Sequence, residues 1–443
     1  MTPLIDTEKP LVDRFVSAFE QDNNLLVNGS DTPLHTVRRQ AIDRFATLGF
    51  PSRKAEAWKY TNIGKILKRE YTIPFHPSKA DISPQEVEPL MIPGLDAHVV
   101  VFVNGCFSET LSFPGDLPEG VLVTSLANAC TTHADLVHAH FAQYADYREE
   151  VFTALNTAFT QDGAFVYVPK NTAVEKPVHI INLVTTGEDL LLQPRHLFVI
   201  ESNSHLKLIQ TSRTVSQKKT LANSVTEVYV GSRAFVDLYD IQDEHEHGSR
   251  VATVQAYQQE SSVFRNSTFT LGGEMIRNNV NVLPDAEHCE SHLYGLFLGK
   301  GSMHIDNHTL VDHARPQCFS NELYKGILDD QSTGVFNGKV LVRLDAQQTN
   351  AYQSNKSIAL TDEARMFSKP ELEIYADDVQ CSHGATTGQL DREALFYLRS
   401  RGLSMKQARA LMLIAFARDV LDHVTIEPLR TMLDALISER FHQ

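Results

Sequence analysis

The stretch LEIYADDVQCSHGATTGQLD, from Leu372 to Asp391, contains the change from a strand pattern to a helical pattern. Its first residues alternate apolar and polar side chains, which predicts a half-buried β-strand. Cys381 and His383 follow two residues apart, so on a strand the thiol and the imidazole project from the same face. Both groups are ligands suited to iron, zinc or copper. After Asp391 the pattern becomes helical, so a soft-ligand pair is expected where a sheet meets a helical tail.

Residues 161–388 repeat the strand pattern many times. Short alternating segments recur about every ten residues, and Gly, Asn, Ser or Asp separates them. A sandwich or barrel fits such a series, and so does a β-solenoid. The series has no obvious closing point, which favours a solenoid whose short strands stack into one continuous core.

Residues 1–160 are predicted to be mostly helical with a Pro-rich linker. Phe15 and Phe19 share one helical face, and residues 125–159 are rich in Ala, Leu and aromatic side chains. We interpret Trp58 as a core anchor, because a Trp side chain buries a large area. Prolines break regular structure in the linker: Pro74, Pro77, Pro84, Pro89 and Pro93.

The tail, residues 389–443, is helical again. Ser404 and Gln407 form a capping box. The helix that follows is expected to bury one face, made of Ala408, Leu411, Met412 and Ala415. Such a face packs against either the β-core or a groove on a partner protein, and both options stay open.

Composition argues against several classes of protein. The net charge of −15 over 443 residues, with no block of like charges, argues against a nucleic-acid binder. Five cysteines at irregular spacings indicate reduced thiols in a cytoplasmic protein. The start, MTPLIDTEKP, lacks the features of a secretory signal, and the longest apolar run, residues 410–417, is too short to cross a membrane.

The common catalytic motifs are missing from the sequence. GLFLGKG, Gly295 to Gly301, has the wrong spacing for a phosphate-binding loop, and neither GxGxxG nor GxSxG occurs. We therefore predict no enzymatic activity and no catalytic residues. Two alternatives stay open. One is a β-helix enzyme that acts on polysaccharide through carboxylates in a groove. The other is a metal-binding protein built on HIDNH, where His304, Asp306 and His308 share one strand face. The competing interpretation of HIDNH is an exposed polar face of the β-helix.

Several long strings resemble the SufB/SufD family of the SUF iron–sulfur assembly system, and SufD in particular. They are KAEAWKYTNI (Lys54–Ile63), HIDNHTLVDH (His304–His313), ELYKGILDD (Glu322–Asp330), GVFNGKV (Gly334–Val340) and CSHGATTGQLDREALFYLRSRGL (Cys381–Leu403). The resemblance covers most of the chain. It implies a right-handed parallel β-helix core flanked by N-terminal and C-terminal α-helical regions.

The resemblance also implies a function and partners. It implies a scaffold that pairs with SufB through the β-helix, docks the ATPase SufC on its C-terminal helices, and assists assembly of nascent Fe–S clusters at the SufB interface. His383 and Cys381 would bind or position iron there. No cofactor is expected to bind tightly to the isolated chain. Iron or an iron–sulfur cluster is expected to bind transiently at the SufB interface, and the complex is compatible with a bound flavin. The isolated chain is compatible with a homodimer.

Asn355 distinguishes the two branches of this family. It lies near the position where SufB carries the cysteine central to cluster building. Asn is a poor ligand for a sulfur-bridged cluster. The resemblance to SufD is therefore favoured, and it implies that a partner completes the coordination.

Overall fold

The computed structural model describes residues 9–22, 33–74 and 82–442. Of the linker prolines, Pro77 lies outside these ranges. The described chain is mainly β, with α-helices before and after the long series of strands, which confirms the predicted fold class. None of the helices in these ranges is long and apolar enough to cross a bilayer.

The strands are connected mostly by short turns and form two facing sheets. In chain order they are β1 (His98–Val103), β2 (Cys106–Phe107), β3 (Leu122–Ser125), β4 (Ala164–Val168), β5 (Val178–Val184), β6 (Leu190–Leu192), β7 (Arg195–Ile200), β8 (His205–Thr214), β9 (Thr220–Val230), β10 (Phe235–Asp243), β11 (Gly248–Gln258), β12 (Val263–Gly272), β13 (Met275–Pro284), β14 (Glu290–Gly299), β15 (His304–His313), β16 (Phe319–Leu328), β17 (Thr333–Val342), β18 (Thr349–Ala359), β19 (Arg365–Ile374) and β20 (Val379–Gly388). Sheet I has the order β2-β1-β5-β8-β10-β12-β14-β16-β18-β20. Sheet II has the order β19-β17-β15-β13-β11-β9-β7-β4-β3, with β6 beside β9.

From β8 onward, consecutive strands alternate between the two sheets. Neighbours within each sheet are parallel and in register, so Leu208, for example, pairs with Leu238 of the next coil. Two strands therefore make one coil of a parallel β-solenoid, as the repeated strand pattern predicts. Every second residue points between the sheets, and Leu206, Leu208, Val236 and Leu238 are buried there.

The N-terminal helices pack on one another through aromatic side chains. They are α1 (Lys9–Asp22), α2 (Pro33–Leu48), α3 (Gly64–Leu67), α4 (Pro84–Val87), α5 (Leu126–Thr132), α6 (Ala134–His140) and α7 (Val151–Phe159). The ring of Phe15 contacts Phe45 and Phe159 edge-on, with centroids 5.9 and 6.2 Å away. Trp58 belongs to the same cluster, with its ring centroid 5.2 Å from that of Phe152. This agrees with its interpretation as a core anchor.

Sheet I begins inside the N-terminal region. β1 pairs in parallel with β5, from His98 opposite Val178 to Val103 opposite Leu183. The proposed boundary near residue 161 stays a prediction.

A fully buried ion pair joins the N-terminal helices to sheet II. Arg195 on β7 donates from Nη2 to Oε2 of Glu227 on β9 at 2.6 Å, and neither side chain is exposed. Arg195 also donates to Asn156 and Thr157 of α7, each at 3.1 Å. Glu227 accepts backbone N–H groups from the loop of residues 142–145, at 2.8 to 2.9 Å. Both charges therefore have several hydrogen-bond partners within the protein, and each depends on the other.

Three helices follow the last strand, and the second and third of them pack on the outer face of sheet I. They are α8 (Arg392–Ser400), α9 (Met405–Leu421) and α10 (Glu427–His442). The predicted capping box of Ser404 and Gln407 starts α9. Leu413 and Ala417 of α9 and Leu433 of α10 are buried in one cluster with side chains of sheet I. Of the two options left open, these two helices therefore pack against the chain's own β-core.

The predicted buried face of α9 is partly wrong. Ala408 is buried, but Leu411 and Ala415 are exposed, and Leu413 faces the sheet instead. Apolar residues occur on several sides of this helix, so their spacing does not single out one face.

One interior column of the solenoid becomes polar toward its last coils. The column that begins with Leu208 and Leu238 continues in register to Glu322 on β16 and Gln353 on β18. Glu322 is buried and accepts hydrogen bonds from Thr309 Oγ1 at 2.5 Å and Gln353 Nε2 at 3.2 Å. Burial outweighs these bonds and raises the pKa of the carboxyl to about 7.

Breaking the buried ion pair should destabilise the fold severely. We expect Glu227→Gln or Arg195→Met alone to cost about 3–5 kcal/mol, because each leaves a buried charge without its partner. The double variant should cost clearly less than the sum, since it removes both charges. Urea unfolding of the four proteins measures this, and additive losses would contradict it.

Glu322→Gln should remove a pH-dependent loss of stability. The carboxyl has a pKa near its ordinary value of 4.5 when unfolded and about 7 when folded. Stability therefore falls as pH rises between these values and is level above them. The full effect is about 3 kcal/mol.

The measurement is urea unfolding across this pH range. The difference in stability between the parent and Glu322→Gln should change with pH, whereas Glu363→Gln, at an exposed carboxylate, should follow the parent. Parallel curves for the parent and Glu322→Gln would contradict the assignment.

Candidate functional site

Cys381 and His383 lie on β20, the last strand of sheet I. In the register with β18, Cys381 is opposite Ala351 and His383 is opposite Gln353. His383 therefore continues the polar column of Glu322 and Gln353, and both side chains belong to the inner face of the sheet. The strand and the shared face agree with the prediction from the sequence. Metal binding by the pair stays a prediction.

The two candidate ligands differ in their surroundings. Cys381 is half-buried against a small apolar cluster that includes Val340 and Val342. Burial raises the pKa of the Cys381 thiol, more than a backbone hydrogen bond with Ala351 lowers it. The thiol is therefore protonated near neutral pH, and a bound metal ion has to displace the proton. His383 is exposed, so its imidazole is accessible without any rearrangement.

β20 is an edge strand at an open end of the solenoid. In the described ranges, β20 pairs with β18 alone and β19 pairs with β17 alone, so each sheet ends with one unpaired edge. A Cβ atom added at Gly384 or Gly388 would meet no atom within 4 Å. Unpaired strand edges readily accept another strand or surface. The candidate ligands thus lie where a second protein has access to them.

The ligand set is incomplete. Among the described residues, no group of three or more His, Cys, Asp and Glu side chains is placed to hold a metal ion. An iron–sulfur cluster is normally held by four protein ligands. One thiol and one imidazole would fill only two of these four positions.

Asn355 points into the interior near the same end. It is buried, donates to the Tyr324 carbonyl at 3.3 Å and accepts from Ser368 Oγ at 3.0 Å. Its amide is occupied with hydrogen bonds inside the solenoid. This is a structural role, and it offers no soft ligand to a metal.

The HIDNH motif holds the N-terminal segment against sheet II. Thr61 donates from Oγ1 to Asp306 Oδ2 at 2.5 Å, and its oxygen lies 2.8 Å from His304 Nε2. Arg277 Nη1 donates to the same Asp306 oxygen at 2.7 Å. His308 Nε2 lies 3.0 Å from the other oxygen, Asp306 Oδ1. The carboxylate is therefore shared by three neighbouring side chains.

Arg277 extends this contact to the aromatic cluster. Its guanidinium carbon lies 3.9 Å from the centroid of the Trp58 ring, and Nη1 also donates to the Ala57 carbonyl at 2.7 Å. Burial alone would raise the pKa of Asp306, but His308 and Arg277 outweigh it and hold that pKa well below its usual range. Asp306 is therefore an ionised anchor for the N-terminal segment.

Two interpretations of HIDNH from the sequence are affected. The motif is not an exposed polar face, because residues 57–61, more than two hundred positions away in sequence, cover it. Its carboxylate and His304 are engaged by Thr61 and Arg277, which leaves no free ligand set and does not support a metal-binding protein built on this motif.

Two family models together match nearly the whole chain. Residues 183–416 match the core domain of the SufBD proteins, described as SUF system FeS cluster assembly. Residues 10–180 match the N-terminal region of the SufBD proteins. No observation here favours a polysaccharide-acting enzyme.

Similar proteins extend over almost the same length. An iron–sulfur cluster assembly SufBD family protein of Synechocystis is 31% identical over 97% of this chain and 96% of its own length. The SufD proteins of Escherichia coli and Bacillus subtilis are 27% and 28% identical, over 91% and 92% of this chain and 92% and 94% of their own lengths. The chain therefore belongs to the SufBD family of SUF iron–sulfur cluster assembly proteins.

Proposed function

We propose that this chain is a SufD-type scaffold subunit that offers His383 and Cys381 to a nascent iron–sulfur cluster at an interface with a SufB-type partner. The observation that carries the proposal is the incomplete soft-ligand pair on an unpaired edge strand. A closed metal site would have its ligands within one chain. An open pair requires a second protein.

The end of the solenoid suits a partner with the same fold. β19 and β20 present unpaired backbone groups, which a partner's terminal strands are able to satisfy. A SufB-type partner would bring the cysteine whose position in this chain falls near Asn355. The same surface would also allow a homodimer of the isolated chain, in which two incomplete pairs would face each other.

Iron is cargo in this scheme, held only while a cluster is assembled. His383 would bind first, because its imidazole is exposed. In the neutral imidazole one ring nitrogen offers a lone pair, so no proton has to leave before the metal binds. Cys381 would follow, and its thiol proton would pass to solvent as the sulfur binds. The scaffold would turn over nothing by itself.

Energy input would come from a docked ATPase of the SufC type. Helix α8 is the part of the tail that suits such a partner, because none of its residues is buried. Phe396 and Tyr397 on this helix are 74% and 56% exposed. An exposed aromatic pair is typical of a binding surface rather than of a free helix. α9 and α10 would serve as the rigid base for α8.

His383→Ala should abolish cluster assembly and leave the complex intact. The change removes the accessible ligand, and packing is not affected because the side chain is exposed. Iron and sulfide content of the co-purified complex after anaerobic reconstitution measures the first effect, and co-purification of the partners measures the second.

Thr387→Ala is the matched control for this experiment. Thr387 lies on the same face of β20 and is also exposed, yet it has no soft ligand atom. Its complex should assemble clusters as the parent does. Normal assembly by the His383→Ala complex would refute the assigned role.

Phe396→Ala should weaken ATPase binding by about 30-fold, the loss of roughly 2 kcal/mol that is typical of an aromatic anchor. The melting temperature should not change, because the side chain makes little contact within the chain. Calorimetric titration with the ATPase measures the affinity. Leu436→Ala, at an exposed apolar residue of α10, should bind normally, and equal losses in both variants would contradict docking on α8.

A further inference from the structure

Two cysteines that play no part in the proposed function lie on top of each other in consecutive coils. Cys289 and Cys318 immediately precede β14 and β16, whose first residues, Glu290 and Phe319, are paired in register. Both cysteines are free and fully buried. They therefore form a stacked pair of thiols at one corner of the solenoid.

The two thiols share their hydrogen-bonding partners. Each sulfur lies 3.2 Å from the same carbonyl oxygen, that of Ala286, and Cys289 also contacts the Gln259 carbonyl at 3.1 Å. The two sulfurs therefore converge on one oxygen atom at this corner of the solenoid.

The spacing of the coils suits one ion that bridges the two sulfurs. Paired strands lie about 4.8 Å apart. A metal–thiolate bond is about 2.3 Å long in zinc sites, so two such bonds in line span about 4.6 Å, close to the coil spacing.

We propose that Cys289 and Cys318 form a binding site for one thiophilic, two-coordinate cation of the Cu(I) type. Two thiols and one Cu(I) ion give one bis-thiolate complex and release two protons to solvent, with no change in oxidation state. Thiolate ligands select Cu(I) over the harder ions that prefer oxygen. The turn of residues 285–288 covers the sulfurs, and Glu287 and His288 in this turn are exposed, so a local opening of one turn admits the ion.

The thiol pair is separate from the candidate iron ligands. Along sheet I, Cys318 immediately precedes β16, which pairs with β18. Cys381 lies on β20, which pairs with the other side of β18. A whole strand, β18, therefore lies between the two places. The inference stands independently of the proposed function, because it requires neither a partner protein nor a cluster.

The chain itself shows that serine fits the positions of these cysteines. Ser262 and Thr349 occupy the equivalent place in the coils before and after, and their hydroxyls donate to the carbonyls of Gln259 and Ala346 at 2.6 and 2.9 Å. Cys289→Ser and Cys318→Ser should therefore keep the hydrogen bonds to the turn and fold normally. Neither hydroxyl is a good ligand for Cu(I).

The experiment is an anaerobic titration of the reduced full-length chain with Cu(I), in competition with a chromophoric Cu(I) chelator. We expect one tightly bound Cu(I) per chain, and a loss of affinity of at least about 100-fold in Cys289→Ser and in Cys318→Ser. Cys106→Ser and Cys130→Ser are the matched controls, at free cysteines outside both candidate sites, and should retain the tight site. Retention of the tight site by both Cys289→Ser and Cys318→Ser, or its absence from the parent chain, would overturn the proposal.

X-ray absorption of the Cu(I)-loaded parent chain provides a test that does not depend on the folding of variants. Two sulfur neighbours at a single short distance are expected. Nitrogen or oxygen neighbours, or three sulfurs, would overturn the two-coordinate site.

Discussion

The in-register stacking of parallel coils is the constraint on which the rest of this structure depends. Each side chain lies about 4.8 Å from the side chain at the same place in the next coil, so the chain builds columns rather than isolated contacts. His383 stands at the end of the column that contains Glu322 and Gln353, and Cys289 stands beside Cys318 for the same reason. A change of register by one residue would turn both pairs to the opposite face.

The polar side chains of the solenoid differ in whether a neighbouring side chain forms a hydrogen bond or ion pair with them. Asp306, on the outer face of sheet II, is occupied by Thr61 and Arg277, so it contributes to stability and holds the N-terminal segment in place. His383 belongs to the last coil, which has no successor to cover it. A polar side chain is therefore an anchor in the middle of the solenoid and stays accessible at its end.

Local pattern predicted local geometry well, and contacts between distant segments poorly. The alternation around Cys381 correctly gave a strand and a shared face. The burial of His304 and Asp306 was not predictable in this way, because the covering segment near Thr61 is more than two hundred residues away. Glu322 was also not identified from the sequence as an interior residue. Glu322 lies two residues from both Ser320 and Tyr324 in an alternating strand, so its side chain points into the solenoid as theirs do. The hand of the coil came from the family resemblance alone.

The change of this one column from apolar to polar residues is consistent with an end that both associates and separates. A column ending in leucine, such as that formed early by Leu208 and Leu238, would expose an apolar surface whenever the partner left. Ending instead in Gln353 and His383 would allow water to replace a partner at a smaller cost. The buried carboxyl of Glu322 lowers stability near neutral pH. That cost is understandable if the last coils are built for an interface that must reopen, whereas a permanent interface would favour a fully apolar column.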